Sequence, residues 1–299
     1  MSLVDFKDLM GHAEKNNYAV GYFESWNLES LLAAYDAAER LRSPIILGFS
    51  GMFLTHSNRV FNEPLELYAK LADEACRQIS VPACSIFNES PNLGAVLDAI
   101  DMGYKMVMFT DEKITFDEQV KKVASVVSKA HKKNVAVEGE LVSLQGIGSE
   151  LTELPDDLKF TTPESALNFV GQTGVDSLAI NIGQAHMHGK TEIHLNLDAL
   201  VEIKKKVKTP LVLHGGSYIN PQDMKKAIEI GIRKINVGSI LKKVYFQKIK
   251  DTTEHLSAGS NPYEIVGSGF EKDINTQARI ALQQTIEGFI MQYGSNNKA

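Results

Sequence analysis

Two cysteines, Cys76 and Cys84, are all that this chain of 299 residues contains. They are too few for a disulfide framework, and they do not form a CxxC metal spacing. Cys84 lies inside an apolar run and reads as core. There is no run of ~18 apolar residues and no signal-peptide pattern, so the expectation is a cytoplasmic protein with no membrane partner. No basic block interrupts a net charge of −6, which argues against nucleic acid as a partner. Linkers and low-complexity segments are missing as well, so residues 1–299 read as a single domain. The rest is ordinary globular composition, 43% hydrophobic and 23% charged. That length suits one large α/β domain or two small ones.

Short apolar, β-branched runs recur along the chain. They are YAVGYF (18–23), PIILGFS (44–50), VPACSIF (81–87), KMVMFT (105–110), NVAVEGEL (134–141), DSLAIN (176–181), PLVLHGG (210–216) and KINVGS (234–239). Most are continuous rather than alternating, as in strands buried on both faces of a parallel sheet. Helical patterns separate them. Thr115 and Glu118 predict a capping box before an apolar stripe at Phe116, Val120, Val123, Val127 and Ala130. Thr162-Pro163 and Asn220-Pro221 predict two further helix starts, the second stopping at Gly231.

Eight strands alternating with helices predict a (β/α)8 TIM barrel, with residues 251–293 as extra C-terminal helices and Gly294–Ala299 as a frayed end. A doubly wound open sheet is the alternative, but no G-x-G-x-x-G turn follows the first strand.

In such barrels the C-terminal strand ends carry the chemistry. Here they hold Ser50, Asn88-Glu89, Thr110-Asp111-Glu112, Glu138 with Glu140, NIGQAHMHGK, LHGGS and NVGS. His214-Gly215-Gly216-Ser217 after strand 7 and Asn236-Val237-Gly238-Ser239 after strand 8 suit a phosphate cradle. Glycines let backbone N–H groups approach an anion, and a helix N-terminus adds positive dipole. Lys190 could supply a cation. His186 and His214, at neighbouring strand ends, suit a zinc site with one carboxylate and an open position. Glu89 is the natural third ligand, and His188, Glu138 and Glu140 are rivals for that place.

VEGEL, NIGQAH, LVLHGGS and INVGS, in that order, resemble the class II, metal-dependent aldolases of ketose bisphosphates. The likeness runs from about residue 3 to residue 290 and includes YFESWNLES and RSPIILGFS. It implies a Zn2+ enzyme that forms the enediolate of dihydroxyacetone phosphate. It places His186 and His214 as metal ligands. Ser50, Lys190, Gly215, Gly216, Ser217, Asn236 and Ser239 fall at the phosphate and triose, and Glu138 and Glu140 form the acidic pair of strand 5. It further implies a homodimer or homotetramer.

The chain departs from that pattern at strand 3. The family has an Asp-His pair where this chain has Asn88-Glu89. Asp111-Glu112 after strand 4 and Met187 after the strand 6 histidine also differ from the family. Glutamate for histidine keeps a metal ligand. Asparagine for the catalytic aspartate is graver, because an amide cannot accept a proton at pH 7. The base then falls to Glu89, Glu112, Asp111 or, further off, Glu140. Three readings follow. One is a metal-dependent aldolase of altered specificity, with Asn88, Glu89 and Glu140 as its catalytic set. The others are a sugar-phosphate epimerase or isomerase and a non-catalytic sugar-phosphate-binding homologue.

Overall fold

A computed structural model describes residues 2–142, 159–185, 192–254 and 256–299. Eight strands close into a barrel in chain order: β1 (Val20–Phe23), β2 (Ile45–Ser50), β3 (Ala83–Ser90), β4 (Met106–Phe109), β5 (Ala136–Glu140), β6 (Ser177–Ile180), β7 (Leu211–Leu213) and β8 (Ile232–Val237). Every pairing is parallel, and β8 returns to β1 with Tyr22 opposite Asn236. The fold is therefore the (β/α)8 barrel that the continuous apolar runs imply.

The helices among the described residues are α1 (Phe6–Asn16), α2 (Leu28–Leu41), α3 (Gly51–Leu54), α4 (Leu65–Gln78), α5 (Leu93–Asp101) and α6 (Phe116–Ala130). They continue as α7 (Pro163–Thr173), α8 (Leu197–Lys206), α9 (Pro221–Ile230), α10 (Ser239–Thr253), α11 (Pro262–Ile265) and α12 (Ile274–Gln292). The starts follow the caps. Thr115 accepts from Glu118 N–H and Glu118 reaches back, while Thr162 does the same with Ser165 ahead of Pro163. Asn220 caps α9, which stops at Gly231. Each cap satisfies N–H groups that the first helical turn leaves open, and so fixes where a strand-to-helix loop ends.

The interior is apolar at one end and polar at the other. From α1, Phe6, Leu9, Met10 and Ala13 close the N-terminal mouth against Val20, Tyr22, Ile46, Cys84, Ile86 and Met106. Residues two apart on a strand share a face. On β5 and β8 the pairs Glu138/Glu140 and Lys234/Asn236 carry polar groups up to the opposite mouth, and all four are buried. The main apolar core lies outside the barrel wall, against the helices.

Three details differ from the sequence reading. β3 does not stop at Phe87 but runs through Ser90, with a register shift against β4 between Phe87 and Ser90. The barrel's eighth helix, α10, occupies 239–253, so only α11 and α12 lie beyond the barrel units. The C-terminal tail is tied down: Asn297 N–H donates to Leu41 O, and Lys298 and Ala299 N–H donate to Arg42 O. Ser295 Oγ also meets Ser43 Oγ at 2.9 Å in a buried contact. No described helix is long and apolar enough to cross a membrane.

Candidate active site

The register shift in β3 makes the Asn88-Glu89 end. Glu89 has φ 46°, the left-handed region that a non-glycine residue enters at a cost of roughly 1–3 kcal/mol. A bulge of this kind turns a side chain off the regular alternation of the strand. Asn88 and Glu89 are both buried, and both line one cavity of about 430 Å³ at the C-terminal mouth. Gly215, Ser217, Asn236 and Ser239 line the same cavity, so six residues singled out from strands 3, 7 and 8 come together.

His214 stands at the centre of the charged groups. Its Nε2 lies 2.9 Å from Glu138 Oε1, and Lys234 Nζ lies 3.0 Å from that same carboxylate. Lys234 also donates to Asn236 Oδ1 at 2.6 Å, which orients that amide. Asn236 Nδ2 then faces Asn88 Oδ1 at 3.4 Å and His214 Nε2 at 3.0 Å. On the other side of the ring, Nδ1 lies 2.6 Å from Glu89 Oε1 and 3.7 Å from Glu140 Oε1. Neither contact has hydrogen-bond geometry, so Nδ1 is a buried polar atom with no hydrogen-bond partner among the described residues. Glu140 Oε2 accepts from Thr110 Oγ1 at 2.8 Å.

The protonation states follow from this crowding. Burial opposes charge on the His214 ring, yet Glu89, Glu138 and Glu140 raise its pKa to about 10. Burial raises Glu140 to about 7, assisted by Glu89 and Glu138 and resisted by His214. Burial also works to raise Glu138, but Lys234 and His214 outweigh it and hold that carboxyl below its ordinary range.

That donor set fits a metal. Nδ1 of His214 faces Glu89 without a hydrogen bond, while Nε2 is held by a carboxylate, the arrangement that orients a ligating imidazole. Glu89 supplies an adjacent oxygen. Among the described residues no three His, Cys, Asp or Glu gather as a complete metal shell. His186, expected as a further ligand, and Lys190, expected at the anion, lie outside the described residues.

The remaining expected residues are distributed around this centre. Gly215 takes φ 64°, which its lack of a side chain permits. Gly216 spends its N–H on Asn236 O at 3.0 Å, and a Cβ there would lie 2.7 Å from Ile235 Cγ2, so its part is close packing. Ser217 Oγ accepts from Ile240 N–H at 3.3 Å, binding the strand 7 loop to the start of α10. Ser50 is buried opposite Asn88 in the β2–β3 register, with its hydroxyl unpartnered. Glu140 borders a neighbouring cavity together with Asp111 and Glu112.

Sequence reasoning missed Glu24, Lys242 and Lys234 as participants, and it named Thr110 at the end of strand 4 without its bond to Glu140. Lys234 had a signal: it sits two residues before Asn236 and so shares its face of the strand.

Comparison with known proteins decides the family. The model of the fructose-bisphosphate aldolase class II family matches residues 4–298. The chain belongs to that family. A sulfofructosephosphate aldolase of Alkalicoccus urumqiensis is 32% identical over 302 residues, covering 100% of this chain and 99% of that protein. A fructose-bisphosphate aldolase of Staphylococcus aureus is 29% identical over 299 residues, with both chains covered completely. The crystal structure of the YdjI aldolase of Escherichia coli K12 superposes with a TM-score of 0.79 at 26% identity, covering 99% of each chain. Class II aldolases of this kind are generally metal-dependent lyases, in keeping with the donors around His214.

Proposed function

We propose that this class II aldolase is a divalent-metal enzyme, with Zn2+ as the natural ion, that makes or breaks a C–C bond next to a phosphorylated triose. Its preferred ketose differs from fructose bisphosphate. The observation that carries the reading is the shared cavity: the strand 7 and strand 8 loops face the rebuilt Asn88-Glu89 end across about 430 Å³. A triose half that keeps the family pattern, opposite an altered second half, is what a changed aldehyde partner requires. The relative named for sulfofructose phosphate supports the same point, because it uses this scaffold on another ketose phosphate.

His214, Glu89 and His186 would hold the metal, which would supply Lewis-acid stabilisation of charge on the triose ketone. Gly215, Ser217 and Ser239 bind the phosphate, with Ser50 and Lys190 at its edge, and Gly216 and Asn236 shape the loop beneath it. Asn88 orients the hydroxyl next to the scissile bond. Glu140 takes that hydroxyl's proton in place of the missing aspartate: Thr110 fixes one oxygen while the other points toward the His214 ring. The bonding pair passes to the triose as its enediolate, and the aldehyde leaves. Condensation reverses these steps. The protein works as a single cytoplasmic barrel domain assembled into a homodimer or homotetramer.

The decisive assay is hydrogen exchange of dihydroxyacetone phosphate in D2O, followed by NMR with and without chelator. Chelator-sensitive exchange is expected. No exchange by metal-loaded protein would overturn the enediolate reading and leave a binding protein.

A further inference from the structure

Glu24 follows β1 directly and lies on the wall of the cavity that holds Gly215, Ser217, Gly238 and Ser239. Its backbone is fixed, because its N–H donates to Val237 O at 2.9 Å. Its Oε1 accepts from Lys242 Nζ at 2.6 Å. Lys242 Nζ in turn sits 3.4 Å from the centre of the Phe53 ring and 5.7 Å from that of Trp26. Oε2 receives no hydrogen bond from the described residues. A Cβ on Gly238 would press on it, so any other residue there would make the carboxylate shift.

A carboxylate pressed against an anion cradle creates a conflict of like charges. Lys242 relieves part of it. A proton between the two oxyanions relieves the rest, and with Lys242 holding Glu24 as a carboxylate a protonated ligand supplies it. Hydrogen phosphate and a singly protonated phosphate monoester carry one. Sulfate and sulfonates are fully ionised at neutral pH and carry none. An acceptor left facing such a group is both unpaired and repelled.

We infer that Glu24 makes this cradle selective for protonated phosphate oxyanions over sulfate or sulfonate. The inference rests on the phosphate reading of the cradle given above. Burial pushes the Glu24 carboxyl upward against the pull of Lys242, which favours sharing a proton.

The test titrates inorganic phosphate and then sulfate into the full chain at neutral pH, fixed ionic strength and equal metal content. Calorimetry gives the affinities, and emission of Trp26, the only tryptophan in the chain, reports events beside Lys242. Phosphate is expected to bind at least ~10-fold more tightly than sulfate, since a site built around a ligand hydroxyl rejects the analogue lacking it. Glu24→Gln is expected to bring the two affinities together while keeping a cooperative unfolding transition. Lys242→Gln is expected to weaken both anions and preserve the preference, which checks the assignment without altering Glu24. Equal binding by the unmodified protein would overturn the inference, as would a preference that survives in Glu24→Gln or vanishes in Lys242→Gln. Binding of neither anion would overturn the cradle reading along with it.

Discussion

Lys234 is the residue whose loss should be felt most widely. Its side chain and that of Glu138 are both 0% exposed, and their charged atoms are 3.0 Å apart. Lys234→Met keeps an unbranched side chain of similar length, so little cavity forms. What changes is the charge. Glu138 would remain buried with His214 and the Ser177 hydroxyl beside it but no ammonium, and breaking a buried pair in this way costs about 3–5 kcal/mol. Urea unfolding reads the loss as a lower midpoint at unchanged slope. The double variant Lys234→Met/Glu138→Gln removes both charges and should lose less than the two single changes together, with a coupling of about 0.5–3 kcal/mol. Metal content offers a second readout. Glu138 holds Nε2 of His214, and loss of such outer support typically costs about 10–100-fold in metal affinity. A single-variant loss below ~1 kcal/mol, or simple additivity in the double variant, would refute the claim that this pair organises the site.

Three further outcomes are expected. Glu89→Ala should lower bound metal measured by elemental analysis, with His186→Ala and His214→Ala as controls; full occupancy in Glu89→Ala would remove Glu89 from the ligand set. Asn88→Asp should not restore fructose bisphosphate cleavage, because Glu89 and the strand 4 end differ as well; robust turnover by that variant in a coupled assay would contradict this. Asp273 is buried at the start of α12 and accepts from Asn275, Thr276 and Gly269 N–H groups. Burial raises its carboxyl, but those hydrogen bonds outweigh that and hold it below the ordinary range. Its contribution is therefore present above the unfolded value of about 3.9 and fades as pH falls through the lower folded value. Asp273→Asn should show its stability deficit at neutral pH and lose it in strong acid; a deficit constant with pH would count against the assignment.

The barrel was legible because strands buried on both faces must be apolar throughout, and each helix start carries its cap in sequence. Thr115 and Asn220 illustrate this: both signals are local, so three or four residues suffice to read them. The grouping of Gly215 and Ser217 on one cavity was legible for a similar reason, since they are neighbours in sequence. Glu24 and Lys242 were not, because they meet across the β1–β8 seam, 218 residues apart. Lys234 was missed because a lone lysine in a strand ordinarily points to solvent, and only closure of the barrel turns it inward toward Glu138. The left-handed turn at Glu89 is set by how β3 pairs with β4, which no local pattern encodes.

The Asn88-Glu89 end is better understood as a redistribution than as a loss. The pattern that this chain resembles puts an aspartate and then a histidine there, one carboxylate in two positions. This chain also puts one carboxylate there, moved one residue along. The move matters because successive residues of a strand face opposite ways. A carboxylate at 89 would face away from the cleft in a regular strand. The register shift and the left-handed φ of 46° turn it back, to 2.6 Å from His214 Nδ1. Asn88 then stands where an added charge would be the fourth carboxylate around one imidazole, with Glu89, Glu138 and Glu140 already present. An amide there can position a hydroxyl without adding to that repulsion, and in the proposed reaction proton transfer would fall to Glu140, whose carboxyl burial raises to about 7.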